Sequence, residues 1–291
     1  MIKKNIKKFI KKPYIKYLSW KNNRLYNKKY EVKNILDKKY TTIKGCIRKE
    51  SDYDEAWLLF LSSKSEIVFD VGCNIGQSSL LIAHSNSLKK LVLIEPNPLS
   101  LSMAAENLIM NNKSENVTFI PKAAYNKSGV NIKLWSMPGP YAGASLDINF
   151  TETGNITKSN FDVETITLDE IAETYNYFPD LVKIDVEGAE LSVLEGSTNI
   201  AKKENTLFIV EIHSSIELNI VENTNKILQW AQQNNYHAYY LCKHKKLINS
   251  EDIKQRGRYH ILLIHKQKKY PEGLNRIKQG LNIEQLKFIN K

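Results

Sequence analysis

The residues most suggestive of chemistry form a short glycine-containing segment, Asp70 to Gln77, that reads Asp-Val-Gly-Cys-Asn-Ile-Gly-Gln. It follows an apolar run typical of a buried strand and opens a helical pattern. Gly72 would let the chain turn and a ligand approach the backbone, and Gly76 would allow close packing at the helix start. The spacing is Gly-x-x-x-Gly, which disfavours a dinucleotide whose pyrophosphate needs the Gly-x-Gly-x-x-Gly arrangement.

The acidic residue before these glycines suits another ligand. S-adenosylmethionine carries an amino acid and a sulfonium but no pyrophosphate, so Asp70 could contact its ammonium directly or through water. About 20 residues further on, the apolar run Leu91 to Glu95 ends in a carboxylate, the usual position for a residue that accepts ribose hydroxyls. The combined pattern predicts an S-adenosylmethionine site; the alternative is that Asp70 and Glu95 are solvent-exposed charges at strand ends.

Acidic groups and an imidazole follow two later strand patterns, at Asp185, Glu187, Glu211 and His213. The carboxyl ends of parallel strands share one edge of a sheet, where open α/β folds bind ligands. His213, with a reference pKa of about 6.5, is a candidate general base. Asp185, Glu187 and Glu211 could instead hold Mg²⁺ through oxygen ligands. In the alternative interpretation His213 is only a strand-end group and Glu187 caps the next helix.

Short apolar strands that alternate with helices predict a mainly parallel sheet with helices on both faces. The predicted strands are Glu66 to Val71, Leu91 to Glu95, Asn116 to Ile120, Leu181 to Asp185 and Thr206 to Ile212, with Tyr259 to His265 as a late antiparallel strand. The predicted helices begin at Ser51, Ser78, Ser100, Glu190 and Glu222. Residues 130–167 change pattern, and we interpret them as a hairpin carrying a mobile loop, about 136–160, over the site.

Four blocks together resemble the signature of FkbM-type methyltransferases. They are Asp70 to Gly76, Ile94 to Pro98, Thr167 to Glu170 and Lys183 to Glu190, and the resemblance spans roughly residues 65 to 215. It implies a Rossmann-like, seven-stranded class I methyltransferase fold, S-adenosylmethionine as methyl donor and frequently a sugar or polyketide-type hydroxyl as acceptor. Cys73 stands where this family more usually has alanine.

The resemblance also implies roles for individual residues. It assigns the methionine end of the donor to Asp70, Gly72, Asn74 and Gly76, the ribose to Glu95 and the adenine to the backbone at Ala124. It fixes no catalytic residue, so this part must come from chemistry. Methyl transfer to a hydroxyl is an in-line displacement in which the acceptor must be aligned and its proton removed. We therefore expect His213, Asp185 and Glu211 to be the catalytic candidates.

The chain of 291 residues has a formal net charge of +11, and this charge is concentrated near the N-terminus. Residues 1–49 contain 17 Lys or Arg against two acidic residues. We expect a basic extension over 1–49, a methyltransferase domain over 50–270 and a helical tail over 271–291. Residues 1–12 have the pattern of a basic amphipathic helix that could lie on an anionic membrane surface; a solvated tail is the alternative.

The longest apolar run is far too short to cross a bilayer, and no signal-peptide pattern is present. Three widely spaced cysteines fit neither a disulfide framework nor a zinc motif, so we expect a cytoplasmic protein. If the basic N-terminal segment binds membranes, the protein would lie at the inner membrane surface. One rival hypothesis is a nucleic-acid methyltransferase. It is disfavoured because Asp185 is followed by Val-Glu-Gly and the basic charge lies away from the predicted cleft. The other is a non-catalytic scaffold that binds S-adenosylmethionine.

Overall fold

The computed structural model describes residues 29–48, 54–136, 144–145, 159–214, 219–253 and 257–288. The predicted basic helix at residues 1–12 and most of the predicted mobile loop lie outside these ranges. So does Ser51, the residue at which we expected the first helix to begin. Among the described residues, no helix is both long and apolar enough to cross a membrane.

The centre of the protein is an eight-stranded sheet. In spatial order its strands are β13 (Lys245–Lys246), β12 (Tyr236–Tyr240), β14 (Arg258–His265), β11 (Leu207–His213), β10 (Leu181–Ile184), β3 (Ile67–Val71), β4 (Lys90–Ile94) and β5 (Val117–Ile120). The middle strands β11, β10, β3, β4 and β5 are parallel, whereas β14 pairs antiparallel with both β11 and β12. Without the two-residue β13 the sheet has seven strands and a late antiparallel strand, as predicted, although β12 was not among the strands we predicted.

Within the described ranges, seven α-helices connect the strands. They are α1 (Glu55–Ser62), α2 (Gln77–Ala83), α3 (Pro98–Met110), α4 (Leu168–Tyr175), α5 (Glu190–Glu195), α6 (Thr198–Lys202) and α7 (Ile220–Gln233). Local sequence explains several starts. The Asn97 side chain accepts hydrogen bonds from the backbone amides of Leu99 and Ser100, and Pro98 takes the first helical position. The Thr167 hydroxyl accepts from the Glu170 amide at the start of α4. Asn219 and Glu222 form a capping box, so α7 begins two residues before the start we predicted.

The parallel strands are covered on both faces, which explains their continuous apolar sequences. All four residues from Leu91 to Ile94 are fully buried, as are Val68 and Phe69 on the neighbouring strand. One hydrophobic cluster lies around Phe69, Val182 and Phe208, and a second lies around Val68, Leu93 and Trp57. The sheet is thus a rigid base, and its carboxyl edge is the place where polar residues emerge.

A hairpin precedes this sheet and packs against it. Its strands are β1 (Tyr30–Ile35) and β2 (Lys38–Ile43), and Ile35 and Tyr40 are buried in the same cluster as Trp57. The Asn107 side chain on α3 accepts a hydrogen bond from the Ile43 amide at 2.8 Å. The boundary we predicted at residue 49 therefore divides elements that share one hydrophobic cluster. Lysines outnumber acids in this segment, but Ile35, Tyr40 and Ile43 face inward.

The C-terminal residues also belong to this cluster. Residues 271–288 contain two 3₁₀ turns, Leu274–Arg276 and Ile283–Phe288, rather than a regular α-helix. Leu274, Ile277 and Leu286 are buried beside α1, and the indole of Trp57 donates to the Ile277 carbonyl at 2.9 Å. Apolar contact thus joins the predicted tail to the rest of the fold.

The region at 130–167 forms the predicted hairpin. β7 (Asn131–Ser136) pairs antiparallel with β9 (Ser159–Ile166) in a second small sheet, which also contains β6 (Ala123–Ala124) and β8 (Ala144–Ser145). Ser136 and residues 159–160 belong to paired strands, so the predicted insertion of about 136–160 overlaps the hairpin at both ends. The hairpin lies beside the carboxyl edge of the main sheet, because β6 follows directly after β5.

Candidate functional site

The glycine-containing segment occupies the point where the sheet reverses its strand order. The chain runs from β3 outward to β4 and β5 and then returns to β10 on the other side of β3. Gly72 has a φ of +75°, and a Cβ there would lie 1.8 Å from the Asp185 carbonyl oxygen. Gly76 has a φ of +90°, and a Cβ there would lie 2.9 Å from Ala104 on α3. Both positions therefore require glycine. Gly76 allows the close packing that we predicted at the helix start. At Gly72 we predicted the approach of a ligand, whereas the close neighbour is the backbone of Asp185.

Asp70 is fully buried beneath this segment. Its Oδ2 accepts hydrogen bonds from the Ser78 and Ser79 hydroxyls, each at 2.7 Å. Its Oδ1 lies 3.5 Å from Nζ of Lys183, which also donates to the Gly72 carbonyl at 3.0 Å and lies 3.4 Å from Asp185. Asp70 is therefore not the exposed strand-end charge of the alternative interpretation. It supports the loop from below, and its own contacts are with the protein.

Lys183 links the ends of β3 and β10. Burial lowers its pKa, but Asp185 and Asp70 oppose this strongly enough to raise the pKa above its usual value. A charged ammonium is therefore retained within the site. We had quoted Lys183 as part of a signature block without giving it a role; the position of a lysine within an otherwise apolar strand was the available signal.

Glu95 directly follows β4 and is 6% exposed. Its two carboxylate oxygens accept the backbone amides of Asn74, at 3.0 Å, and Asn97, at 2.9 Å. Burial raises the pKa of Glu95 to about 7, against the lowering effect of these two hydrogen bonds. The carboxylate is held in one orientation and is attached to the loop that contains Asn74.

Two clefts open along this edge of the sheet. The first has Glu95 on its wall and is otherwise mainly apolar; it is lined by Ile94, Pro96, Ala123, Ala124, Tyr125, Ile132, Leu134, Val186 and others. The second is lined by more polar residues, including Lys44, Arg48, Asp54, Glu55, Gln77, Ser78 and Lys183. Gly72, Asn74 and Asp185 line both clefts. A single elongated ligand could therefore reach from the apolar cleft past the glycine loop into the polar one.

The β7–β9 hairpin and Ala124 contribute to the first cleft. Ala124, predicted to lie near the adenine, lies on β6 and lines the cleft. Ile132 and Leu134 from β7 complete the apolar wall, a contribution that sequence reasoning missed. Their alternation in β7 was visible in the sequence, but the sequence did not show which face of the hairpin would meet the main sheet.

His213 ends β11 among several carboxylates. Its Nδ1 lies 2.9 Å from Oε1 of Glu190, while its Nε2 lies 3.5 Å from Glu187 and 3.7 Å from Glu211. Burial lowers the pKa of His213, but Glu190 and then Glu187 raise it to about 9. The structure thus brings together the predicted residues Glu187, Glu211 and His213. It adds Glu190, which we had read only as a helix start.

A second histidine lies beside the same carboxylates. His260, to which the sequence assigned no role, is 5% exposed, and its Nε2 lies 3.5 Å from Glu211 and 3.8 Å from Asp54. Burial lowers the pKa of His260, while Glu211 and Asp54 raise it above its usual value. Arg258 also pairs with Glu211, at 3.2 Å. Burial raises the pKa of Glu211, but His260, His213 and Arg258 outweigh the effect of burial and lower this pKa overall.

Three of these side chains could share a metal ion. Asp185, Glu211 and His213 each offer a ligand atom, and these atoms all lie within 4.8 Å of one another. The set differs from the predicted Asp185, Glu187 and Glu211, because His213 takes the place of Glu187. Glu187 has a φ of +52° and directs its carboxylate toward His213.

The comparison with protein families identifies the chain. The family model for the methyltransferase FkbM domain matches residues 70–238, more than half of the sequence. The chain belongs to this family. The matched range contains the glycine-containing segment, Glu95, the β7–β9 hairpin and the His213 cluster, by which we mean His213 with Glu187, Glu190 and Glu211. The sheet order described above is that of a class I methyltransferase.

Individual relatives are more distant. The hexuronic acid methyltransferase AglP of Haloferax volcanii is 32% identical over 161 residues, which cover 55% of this chain and 61% of AglP. Among solved structures, an FkbM methyltransferase from Methylobacillus flagellatus KT is 17% identical with a TM-score of 0.44, covering 69% of this chain and 44% of that one. A Bacillus cereus O-methyltransferase in complex with SAH is 13% identical with a TM-score of 0.42, and the match covers 72% of this chain and 79% of that one.

Proposed function

We propose that this FkbM-family chain is an S-adenosylmethionine-dependent methyltransferase that methylates a hydroxyl of a sugar or glycan. One observation carries the donor assignment: a mainly apolar cleft with Glu95 on its wall joins a polar cleft at Gly72, Asn74 and Asp185. The adenosine would occupy the first cleft, with its ribose hydroxyls donating to Glu95. The amino acid end would pass Gly72 and Asn74 into the second cleft.

The acceptor class is supported by the relative and by the chemistry of the edge. AglP acts on a hexuronic acid, and its matched segment is 55% of this chain. A sugar hydroxyl is weakly acidic and needs a base or a cation at the point of transfer. The His213 cluster lies at the same sheet edge as the two clefts, because Asp185 and Glu187 line the first cleft and Glu187 contacts His213.

The proposed reaction uses His213 as general base. The hydroxyl oxygen attacks the methyl carbon in line with the sulfonium, the carbon–sulfur bond breaks, and its electron pair stays on sulfur as a neutral thioether. The hydroxyl proton passes to Nε2 of His213. In the ligand-free protein at neutral pH, His213 is a positively charged imidazolium, since its pKa is about 9. The positive sulfonium of the donor would lower that pKa and favour the neutral base.

A methyl-transfer assay tests this function. The full chain would be incubated with S-adenosylmethionine carrying a labelled methyl group and with oligosaccharides that contain hexuronic acid, beside matched neutral oligosaccharides. Mass spectrometry should find one added methyl ether on the acidic sugar and equimolar S-adenosylhomocysteine. Donor binding without transfer to any sugar tested would instead favour a non-catalytic scaffold.

Mg²⁺ is the second candidate for activating the hydroxyl, and the proximity of Asp185, Glu211 and His213 supports it. Carboxylate oxygens suit this cation. Arg258 beside Glu211 and Lys183 beside Asp185 already supply positive charge there, which counts against a further cation. Chelation should abolish transfer and added Mg²⁺ should restore it if this candidate is correct. Transfer that is unchanged by chelator would leave His213 as the base.

A further inference from the structure

Glu190, the first residue of α5, is completely buried. A buried carboxylate is costly unless it is hydrogen-bonded. Here Oε1 accepts the Gly188 amide at 2.8 Å and faces Nδ1 of His213 at 2.9 Å. Oε2 accepts the Asn223 amide group at 3.1 Å. Both oxygens of this carboxylate are therefore used around one histidine.

Asn223 holds the same arrangement from α7. It is 1% exposed, and its Nδ2 donates to the backbone carbonyl of His213 at 2.8 Å as well as to Glu190. One amide thus fixes both the carboxylate and the strand end that carries the imidazole. Three elements, β11, α5 and α7, meet at this ring.

The arrangement determines which nitrogen of His213 faces Glu187 and Glu211, of which Glu187 lines the first cleft. A neutral imidazole carries one N–H, and the hydrogen bond made by one nitrogen decides the role of the other. Because Nδ1 is directed at Glu190, its proton is kept there and Nε2 presents a lone pair. Nε2 is buried and makes no hydrogen bond within the part of the chain that the structure describes.

We propose that Glu190, secured by Asn223, is a positioning residue that presents Nε2 of His213 to the acceptor hydroxyl. This rests on the proposed function. As the hydroxyl oxygen bonds to the methyl carbon, its proton moves to Nε2, and the carboxylate of Glu190 stabilises the imidazolium that forms. Glu190 itself contacts neither donor nor acceptor and gains no proton.

A double-mutant cycle separates this role from simple structural support. Glu190→Ala should lower kcat on the order of 10²-fold, the range for general-base catalysis, and leave donor Kd and acceptor KM within about twofold. In the His213→Ala background the same change should cost no more than about twofold, because groups that act as one unit are non-additive. Losses that multiply in the double variant would overturn the proposal. Glu173→Ala, an exposed glutamate on α4, is the matched control.

If Glu190→Ala does not fold, Glu190→Gln replaces it in the cycle, since it keeps the side-chain volume and removes the charge. A second readout needs no turnover: ¹⁵N NMR of histidine-labelled protein above pH 9, assigned with His213→Ala. The parent should carry the His213 proton on Nδ1, and a proton on Nε2 would overturn the proposal. An Nδ1 proton in a parent that transfers no methyl group would contradict the proposed function alone.

Discussion

If Glu95 binds the donor ribose as proposed, we predict that donor binding is sensitive to pH. Its pKa is raised to about 7 by burial, and ribose hydroxyls donate more strongly to the ionised carboxylate than to the neutral acid. Below about pH 7 the residue must lose a proton before it can bind, so donor affinity should fall by up to about tenfold per pH unit there and level off above. Calorimetry from about pH 6 to 8 measures this. Glu95→Gln should flatten the profile; an equally flat profile in the parent would contradict the assignment.

His213 predicts a different pH effect, on turnover. A general base must be unprotonated, and the pKa of His213 is about 9 in the free protein because Glu190 and Glu187 oppose the effect of burial. The value of kcat/KM should therefore rise with pH and level off above about 9, whereas kcat should level off at a lower pH once the sulfonium is bound. His213→Ala should remove this rise and lower kcat by about 10² to 10⁴-fold. Loss of less than a few-fold would mean that the base lies elsewhere.

At the level of elements, α3 couples the N-terminal hairpin to the glycine-containing segment Asp70 to Gln77. Buried Asn107 accepts the Ile43 amide and donates to the Ile75 carbonyl, at 2.8 Å each. Asn107→Ala would leave both backbone groups without this partner and should lower the free energy of unfolding by about 1 to 3 kcal/mol. Urea denaturation measures this, with exposed Ser102→Ala on the same helix as control. A change within about 0.5 kcal/mol would show that these two hydrogen bonds of Asn107 do not contribute to holding the hairpin.

The sequence predicted six strands of the main sheet and five of the seven helices described, all from local signals, but not β12, α4 or α6. Strand and helix positions followed from periodicity, and most bounds differ from prediction by one to a few residues, as at α7, where Asn219 takes the cap. Residues at strand ends, such as Glu95 and His213, could be placed at one edge because parallel strands align their carboxyl ends.

Features that depend on packing between distant segments could not be predicted. Ile35 and Leu274 lie in segments we treated as appendages, because a basic composition and terminal position gave no sign of the surface that buries them. His260 and Glu190 were missed for the same reason. A histidine in an antiparallel strand and a glutamate at a helix start acquire a role only when β14 and α5 pack beside β11.

For the whole molecule, we propose peripheral contact between residues 1–12 and anionic membranes. The segment has six lysines, and each basic residue near such a surface contributes about 1 kcal/mol at low ionic strength. It lies outside the described residues, and its deletion removes none of the elements that the structure describes. Sedimentation with anionic vesicles at low salt should retain the full chain, lose the truncated one and weaken at high salt, with neutral vesicles as control. Failure of the full chain to sediment would favour a solvated tail.

The central claim, that the two joined clefts bind S-adenosylmethionine with Glu95 at the ribose, is tested most directly by calorimetry with S-adenosylhomocysteine, the demethylated product. The parent should bind it with a stoichiometry of one. Glu95→Ala, shown to be folded by its circular dichroism and melting curve, should lose about 1.5 to 3 kcal/mol of binding free energy, or roughly 10 to 150-fold in Kd. No binding by the parent, or unchanged affinity in folded Glu95→Ala, would contradict the account.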